Sequence, residues 1–168
     1  FQSFIKWPNL NVSEGAARTT GFYQKQKAIE RFGRGPAEVF SRFDEIIYDK
    51  NTYNIGHNIL GFDVQIHNVA RRNIGKPTDF SYISRCIDTN AIARGIKMNR
   101  LPKENDIFLA WQYRILDAKV KGIKTKIPIL CSEYKIPYED DELHSASYDV
   151  EKNIEIFKKQ LKEFEIPI

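Results

Sequence analysis

The sequence predicts an α/β domain. Three observations carry that expectation. Apolar residues recur with a helical period in several separate segments. Two short stretches, residues 1–7 (FQSFIKW) and 52–57 (TYNIGH), read as strands bounded by turn residues. The chain has 168 residues, the length of one ordinary domain. At that size roughly 70% of the unfolded surface can be buried, so a core needs no disulfide or metal staple.

Composition narrows the class. Hydrophobic residues make up 42% and charged residues 29%, a mix that excludes disordered and collagen-like chains. No run of 18 apolar residues is present, so no membrane span is expected, and residues 1–20 do not read as a signal peptide. Cys86 and Cys131, far apart in hydrophobic settings, read as free buried thiols of a reducing, cytoplasmic compartment. The sequence opens on Phe1 and its only methionine is Met98, so the expectation is an N-terminally incomplete domain spanning 1–168. Charge is uneven. Residues 1–100 hold 15 Lys/Arg against 9 Asp/Glu, and residues 101–168 hold 11 against 13, within a net charge of +4. A mild basic excess is compatible with a polyanion partner and equally with a merely soluble surface.

The elements follow in order. Residues 1–7 form the first expected strand, ended by Pro8. Residues 8–20 are turn-rich and read as a loop. A short helix covers about 21–32, broken by Gly33 and Gly35. Pro36 then sits where a first helical residue belongs, and Val39, Phe40, Phe43, Ile46 and Ile47 line one face of the helix that follows. After the strand at 52–57 comes a helix over about 61–73, with Phe62, Ile66, Val69 and Ala70 expected inward and Gly75 and Pro77 ending it. Residues 80–87 are ambiguous. Asp88 caps a short helix through Ile96. Ile107, Phe108, Trp111, Ile115 and Ala118 mark another helix. Residues 119–128 form a lysine-rich loop, and 129–134 a helical turn. The last helix runs over about 146–164, with Val150, Ile154, Phe157, Leu161 and Phe164 on one face. Two strands seldom make a stable sheet. Either the domain is helical with a small hairpin, or further strands precede these residues.

Few residues can carry chemistry. His67 follows Asp63 by one helical turn, a spacing able to hold a metal but mostly found on solvated surface. The segment LHSASYD sets His144 before a helix start and Asp149 in its first turn. An acid there is favoured by the helix dipole alone; the functional alternative is a base and a metal ligand aimed at one point. The segment GHNILGFD ends a strand, turns through Gly56, Asn58 and Gly61, and places Asp63 at the next helix start. Strand ends of α/β sheets are where ligands bind.

Taken together, GHNILGFD and, 81 residues after Asp63, the His144 of HSASYD resemble the second and third motifs of the DEDD exonuclease superfamily. The third motif, H-x-x-x-x-D, resembles that of the DEDDh branch, which includes proofreading subunits of bacterial replicative polymerases. The tyrosine branch has Y-x-x-x-D, and here Ser145 stands four residues before Asp149. Other pieces follow in the family's order: Arg18-Thr19-Thr20-Gly21 is similar to the loop after its third strand, Ile87-Asp88-Thr89 with Ala93-Arg94 to its DT…AR segment, and residues 130–136 (LCSEYKI) to the element before its histidine. Residues 150–161 (VEKNIEIFKKQL) are similar to its closing helix. The first motif, D-x-E on an apolar strand, is absent. Asp140-Asp141-Glu142 satisfies the letters but lies in a polar loop.

The resemblance implies an RNase H-like exonuclease fold, a mixed sheet flanked by helices, with the first strands missing and residues 1–7 as the third. It implies 3′–5′ hydrolysis of terminal phosphodiester bonds with two divalent ions, Mg²⁺ or Mn²⁺. Asp63 and Asp149 would be metal ligands, His144 the general base, and Thr20, Gly21 and Asn58 substrate contacts, though Asn58 equally suits a turn. The implied partner is a single-stranded nucleic acid or a 3′ end, DNA ahead of RNA, with a polymerase or another replication or repair protein beside it and no membrane. Without D-x-E, the 168 residues alone are expected to be inactive. The alternative is a nucleic-acid-binding or scaffold domain of the same fold without catalysis. Two surface features remain. Lys119, Lys121, Lys124 and Lys126 form an acid-free run, by default a solvated loop and otherwise a phosphate contact. Trp7, Phe22 and Tyr23 suit base stacking or, more commonly, core packing.

Overall fold

The computed structural model describes residues 1–8, 10–139 and 145–163. In chain order the elements are α1 (Glu14–Thr20), α2 (Phe22–Phe32), α3 (Pro36–Ile47), β1 (Asn54–Gly56), α4 (Asp63–Asn73), β2 (Cys86–Asp88), α5 (Thr89–Lys97), α6 (Phe108–Asp117), α7 (Ile127–Glu133) and α8 (Ala146–Gln160). The domain is helix-rich around a small sheet. β1 and β2 run parallel, with Asn54 opposite Cys86, Ile55 opposite Ile87 and Gly56 opposite Asp88. Parallel neighbours cannot be joined by a tight turn, and α4 supplies the crossover between them. Among the described residues the other edge of β1 pairs with no strand.

β2 is buried on both faces. Cys86 turns one way, into a cluster with Ile47 of α3, Leu60, Val64 of α4 and Tyr82. Ile87 turns the other way, against Ala91 and Ile92 of α5 and Trp111 and Ile115 of α6. A third cluster joins Ala93 of α5, Leu130 and Cys131 of α7, Ile136 and Ile156 of α8. α5 is thus packed on two sides, and Gly95 lets α6 approach it: a Cβ there would lie 2.6 Å from the Trp111 ring. Both cysteines are free and buried. Burial pushes the Cys86 thiol up to about 12, which leaves it inert at neutral pH. No helix among the described residues is long and apolar enough to cross a membrane.

Three expectations need correction. Residues 1–7 are not a strand; they make one bridge, Ile5 to Arg34, in which the Lys6 N–H donates to the Arg34 carbonyl at 2.8 Å and the Arg34 N–H to Phe4 at 3.0 Å. Their apolar pattern has no ladder to join. Residues 14–20 are helical rather than loop, because Ser13 caps the Ala16 N–H and Gly21, at φ 62°, ends the helix in the left-handed conformation. Finally, α4 and α8 present a different face to the core than their apolar stripes suggest. On α4, Phe62, Ile66 and Val69 are exposed, and the buried side is Val64, His67, Asn68, Ala70 and Arg71. On α8, Val150, Ile154 and Leu161 are exposed, while Lys152, Asn153, Ile156 and Gln160 are buried. Phe157 does pack inward, against the Ile87 cluster. Phe164 lies outside the described residues.

The reversed face of α4 is explained by polar pairing. His67, only 4% exposed, sets Nε2 2.8 Å from Asp44 of α3 and Nδ1 2.9 Å from the Tyr82 hydroxyl. Both ring nitrogens are thereby used inside the fold, so His67 does not pair with Asp63 as a metal site. Arg71 and Lys76 also donate to Asp44, at 2.5 and 3.0 Å. Burial acts to raise the Asp44 pKa, but the bonds from His67 and Lys76 and the charge of Arg71 outweigh it and hold the group below its ordinary value. Burial lowers His67 in spite of Asp44. Both shifts have one sign for stability. The unfolded chain takes up protons first, so stability is full above the ordinary histidine value of about 6.5 and falls as pH drops below it. A second loss follows below about 3.8, as Asp44 protonates. Urea unfolding from pH 8 to 4 should show this decline, and His67→Gln should flatten its portion between about pH 7 and 5. An unchanged slope in that variant would remove His67 as the cause.

Candidate active site at the strand ends

β1 and β2 end side by side, and each feeds a helix start. β2 passes straight into α5. β1 passes through residues 57–62 into α4. One side chain joins the two. The Asp88 carboxylate, fully buried, accepts the N–H of Asn58 at 3.0 Å and of Leu60 at 3.1 Å across the sheet. It also accepts the N–H of Asn90 at 2.9 Å and of Ala91 at 3.2 Å, capping α5. Gln112 of α6 closes the strand from behind, accepting the Asp88 N–H at 2.6 Å and donating to the Cys86 carbonyl at 3.0 Å. Burial raises the Asp88 pKa, and the four N–H donors oppose it. With its oxygens committed to backbone, Asp88 is a clamp and not a free metal ligand. Its spacing in the sequence identifies the cap for α5 and does not reveal its grip on the other strand.

The clamp shapes the turn that presents Asp63. Gly56 is pressed against Ile59: a Cβ on it would lie 2.8 Å from the Ile59 Cβ. Asn58 adopts φ 62°, a conformation Asn tolerates better than most residues. Its side chain folds over Gly61, where a Cβ would sit 2.6 Å from Oδ1. Asn58 therefore has a structural task in this turn. Asp63 is the first residue of α4, solvent-accessible at the turn's exit. Crowding by the surrounding protein raises its pKa, its own N–H lowers it, and the charge of Asp88 raises it further. Desolvation is the larger cause, and the Asp88 charge only adds to it.

α8 reaches the same end of the sheet. The Oδ1 of Asn153 accepts the Thr89 hydroxyl at 2.6 Å, and Gln160 donates to the Thr89 carbonyl at 2.9 Å. Thr89 Oγ1 also lies 3.0 Å from His57 Nδ1. Burial lowers the His57 pKa, partly offset by a bond to the backbone of Thr125. Asp149, half-buried in the first turn of α8, stands one helical turn before Asn153 and so on the same stripe. The elements bearing Asp63 and Asp149 both meet the residues that follow the strands. Thr20 and Gly21 lie at the corner between α1 and α2, and their hydrogen bonds are local: Thr20 Oγ1 donates to Ala16 at 2.8 Å, Lys25 Nζ donates to the Thr20 carbonyl at 2.9 Å, and the Gly21 N–H reaches Arg18. His144 lies outside the described residues, as does the Asp140-Asp141-Glu142 run. Among the described residues, no group of three or more His, Cys, Asp or Glu side chains could hold a metal.

Comparisons of the chain with protein-family models, curated proteins and solved structures return no match.

The clamp makes a graded prediction. Oδ1 of Asp88 serves Asn58, Asn90 and Ala91, and Oδ2 serves Leu60 alone. Asp88→Asn keeps the first oxygen and turns an amide N–H₂ toward the Leu60 N–H, so it should cost about 1–3 kcal/mol. Asp88→Ala strands all four donors and should cost more than about 3 kcal/mol. Urea unfolding of the two variants should rank them in that order, and equal losses would contradict the division between the oxygens.

Proposed function

We propose that this chain is part of a metal-dependent 3′–5′ exonuclease of RNase H-like fold. The supporting observation is the end of the parallel strand pair. There Asp88 holds the turn that leads to Asp63, and the next residue, Thr89, bonds Asn153, one helical turn after Asp149 on α8. In this reading the two carboxylates would face one site. Two such carboxylates suit Mg²⁺ or Mn²⁺, which take hard oxygen ligands. Asp149 would hold one ion, Asp63 would hold or orient a second through water, and His144 would take the proton of the attacking water. The bound ions would stabilise the leaving oxygen.

Two carboxylates are half of what a two-ion site needs. The unpaired edge of β1 is where a further strand with two acids would complete it. Ile55 on β1 shares a sheet face with Ile87, whose cluster includes Phe157 of α8. The nucleic acid is the substrate, entering as a single-stranded 3′ end, with DNA ahead of RNA. A polymerase or another replication or repair protein would be its working partner. A second reading, a nucleic-acid-binding domain without catalysis, fits the finding that no three His, Cys, Asp or Glu side chains among the described residues form a metal-holding group.

The test has two arms. The 168 residues alone should not release mononucleotides in Mg²⁺. The protein carrying an apolar D-x-E strand should do so from a labelled 3′ end. In it, His144→Ala should lower turnover by roughly 10²–10⁴-fold with the fold retained, and Asp149→Asn should abolish metal-dependent release. Release unaffected by Asp149→Asn would overturn the assignment. An encoded polypeptide with no D-x-E strand would leave the binding module.

A further inference from the structure

The lysine-rich loop is fastened to the domain by its backbone and base. Asn90, Arg94 and Lys97 recur at i, i+4 and i+7 on α5, one polar stripe of that helix. Arg94 donates to the carbonyl of Ile115 in the last turn of α6 at 3.1 Å and to that of Ala118, where the loop begins, at 2.5 Å. Lys97 donates to the Lys124 carbonyl at 2.5 Å. Asn90 accepts the Thr125 hydroxyl at 2.6 Å, and His57 bonds the Thr125 backbone. Every one of these bonds holds the loop without using a loop lysine's ammonium. Lys119, Lys121, Lys124 and Lys126 are all exposed.

Of the two acids that flank the loop, Glu133 is engaged and Asp117 is exposed. Between Asp117 and Glu133 the sequence has no acid. Glu133 pairs with Lys97 at 2.7 Å. The guanidinium of Arg94 adds a further positive charge beneath the loop. Gly122, at φ 86°, turns the chain between the two lysine pairs. Within each pair the lysines are two residues apart, at most about 7 Å along an extended chain. A solvated loop needs no such fastening. A fixed cationic array lowers the ordering cost of binding a polyanion, because its backbone is already placed.

We propose that residues 118–126 form a preset phosphate-binding strap for the backbone of a single-stranded nucleic acid, at the edge of the strand-end site. The assignment rests on the nucleic-acid reading above for its ligand, and on the loop's anchoring for its place. Contacts to phosphate position a strand without reading its sequence. His57 and Thr125 set the strap beside the residues that follow β1.

The test is the binding of a fluorescein-labelled single-stranded DNA of about 12 nucleotides, by anisotropy in EDTA over a salt series. Neutralising Lys119, Lys121, Lys124 and Lys126 together to Gln should weaken binding at least tenfold at low salt. It should also flatten the log–log salt slope by about 0.7 for each phosphate that the variant no longer neutralises, alike for different sequences. Thr125→Val keeps every lysine and frees one anchor. It should weaken binding several-fold with the slope unchanged, whereas an unanchored array would show no effect. Circular dichroism of each variant should match the parent, since the four lysines are exposed and Thr125 is a half-buried loop residue outside the helices. An unchanged slope in the quadruple variant overturns the strap, and so does lysine-dependent binding to anionic lipid vesicles with none to the oligonucleotide. EDTA separates this from catalysis: lysine-dependent binding by a protein that proves inactive even with a D-x-E strand would sink the exonuclease reading and leave the strap standing.

Discussion

The structure depends on one buried carboxylate. Asp88 gathers four backbone N–H groups, two from the turn after β1 and two from the first turn of α5. A parallel pair of three-residue strands has little to hold it together by its ladder alone. The carboxylate adds charge-assisted bonds at the end where the strands stop. It ties the start of α4 to the start of α5, and through Thr89 the same end reaches α8. The geometry of everything that could act at this end is set by that one group.

The second constraint is polar pairing inside the helix packing. α4 and α8 bury His67, Arg71, Asn153 and Gln160, each with a partner from another element. A buried polar group without a partner is costly, and with one it specifies a register. The consequence is two helices whose apolar stripes look outward. Phe62, Ile66 and Val69 by α4, and Val150, Ile154 and Leu161 by α8, stand exposed as a result.

Much of the secondary structure is legible in the sequence. Pro36 at the start of α3, the apolar period of α6 and the cap at Asp88 each report a local preference that packing does not override. The failures have physical causes. Residues 1–7 have strand-like letters, but a strand exists only with a partner. Residues 14–20 carry turn letters, yet Ser13 and Gly21 are good helix ends. The inward faces of α4 and α8 escape the sequence because hydrophobicity ranks side chains singly, and Asp44 with His67 or Thr89 with Asn153 are favourable only as pairs. Of the site, Asp63 at a helix start after a strand can be read from spacing. The reach of Asp88 across the sheet cannot, because nothing in sequence links it to Asn58 and Leu60.

The central claim is that Asp63 and Asp149 serve one metal site at the strand ends. Line broadening of amide resonances during a Mn²⁺ titration of the ¹⁵N-labelled chain tests it most directly. The account predicts that residues 58–63 and 145–153 broaden together, at the same Mn²⁺ concentration, and that Asp149→Asn removes the effect from both. Broadening confined to residues 139–142, or reaching the two segments at separate concentrations, would contradict it.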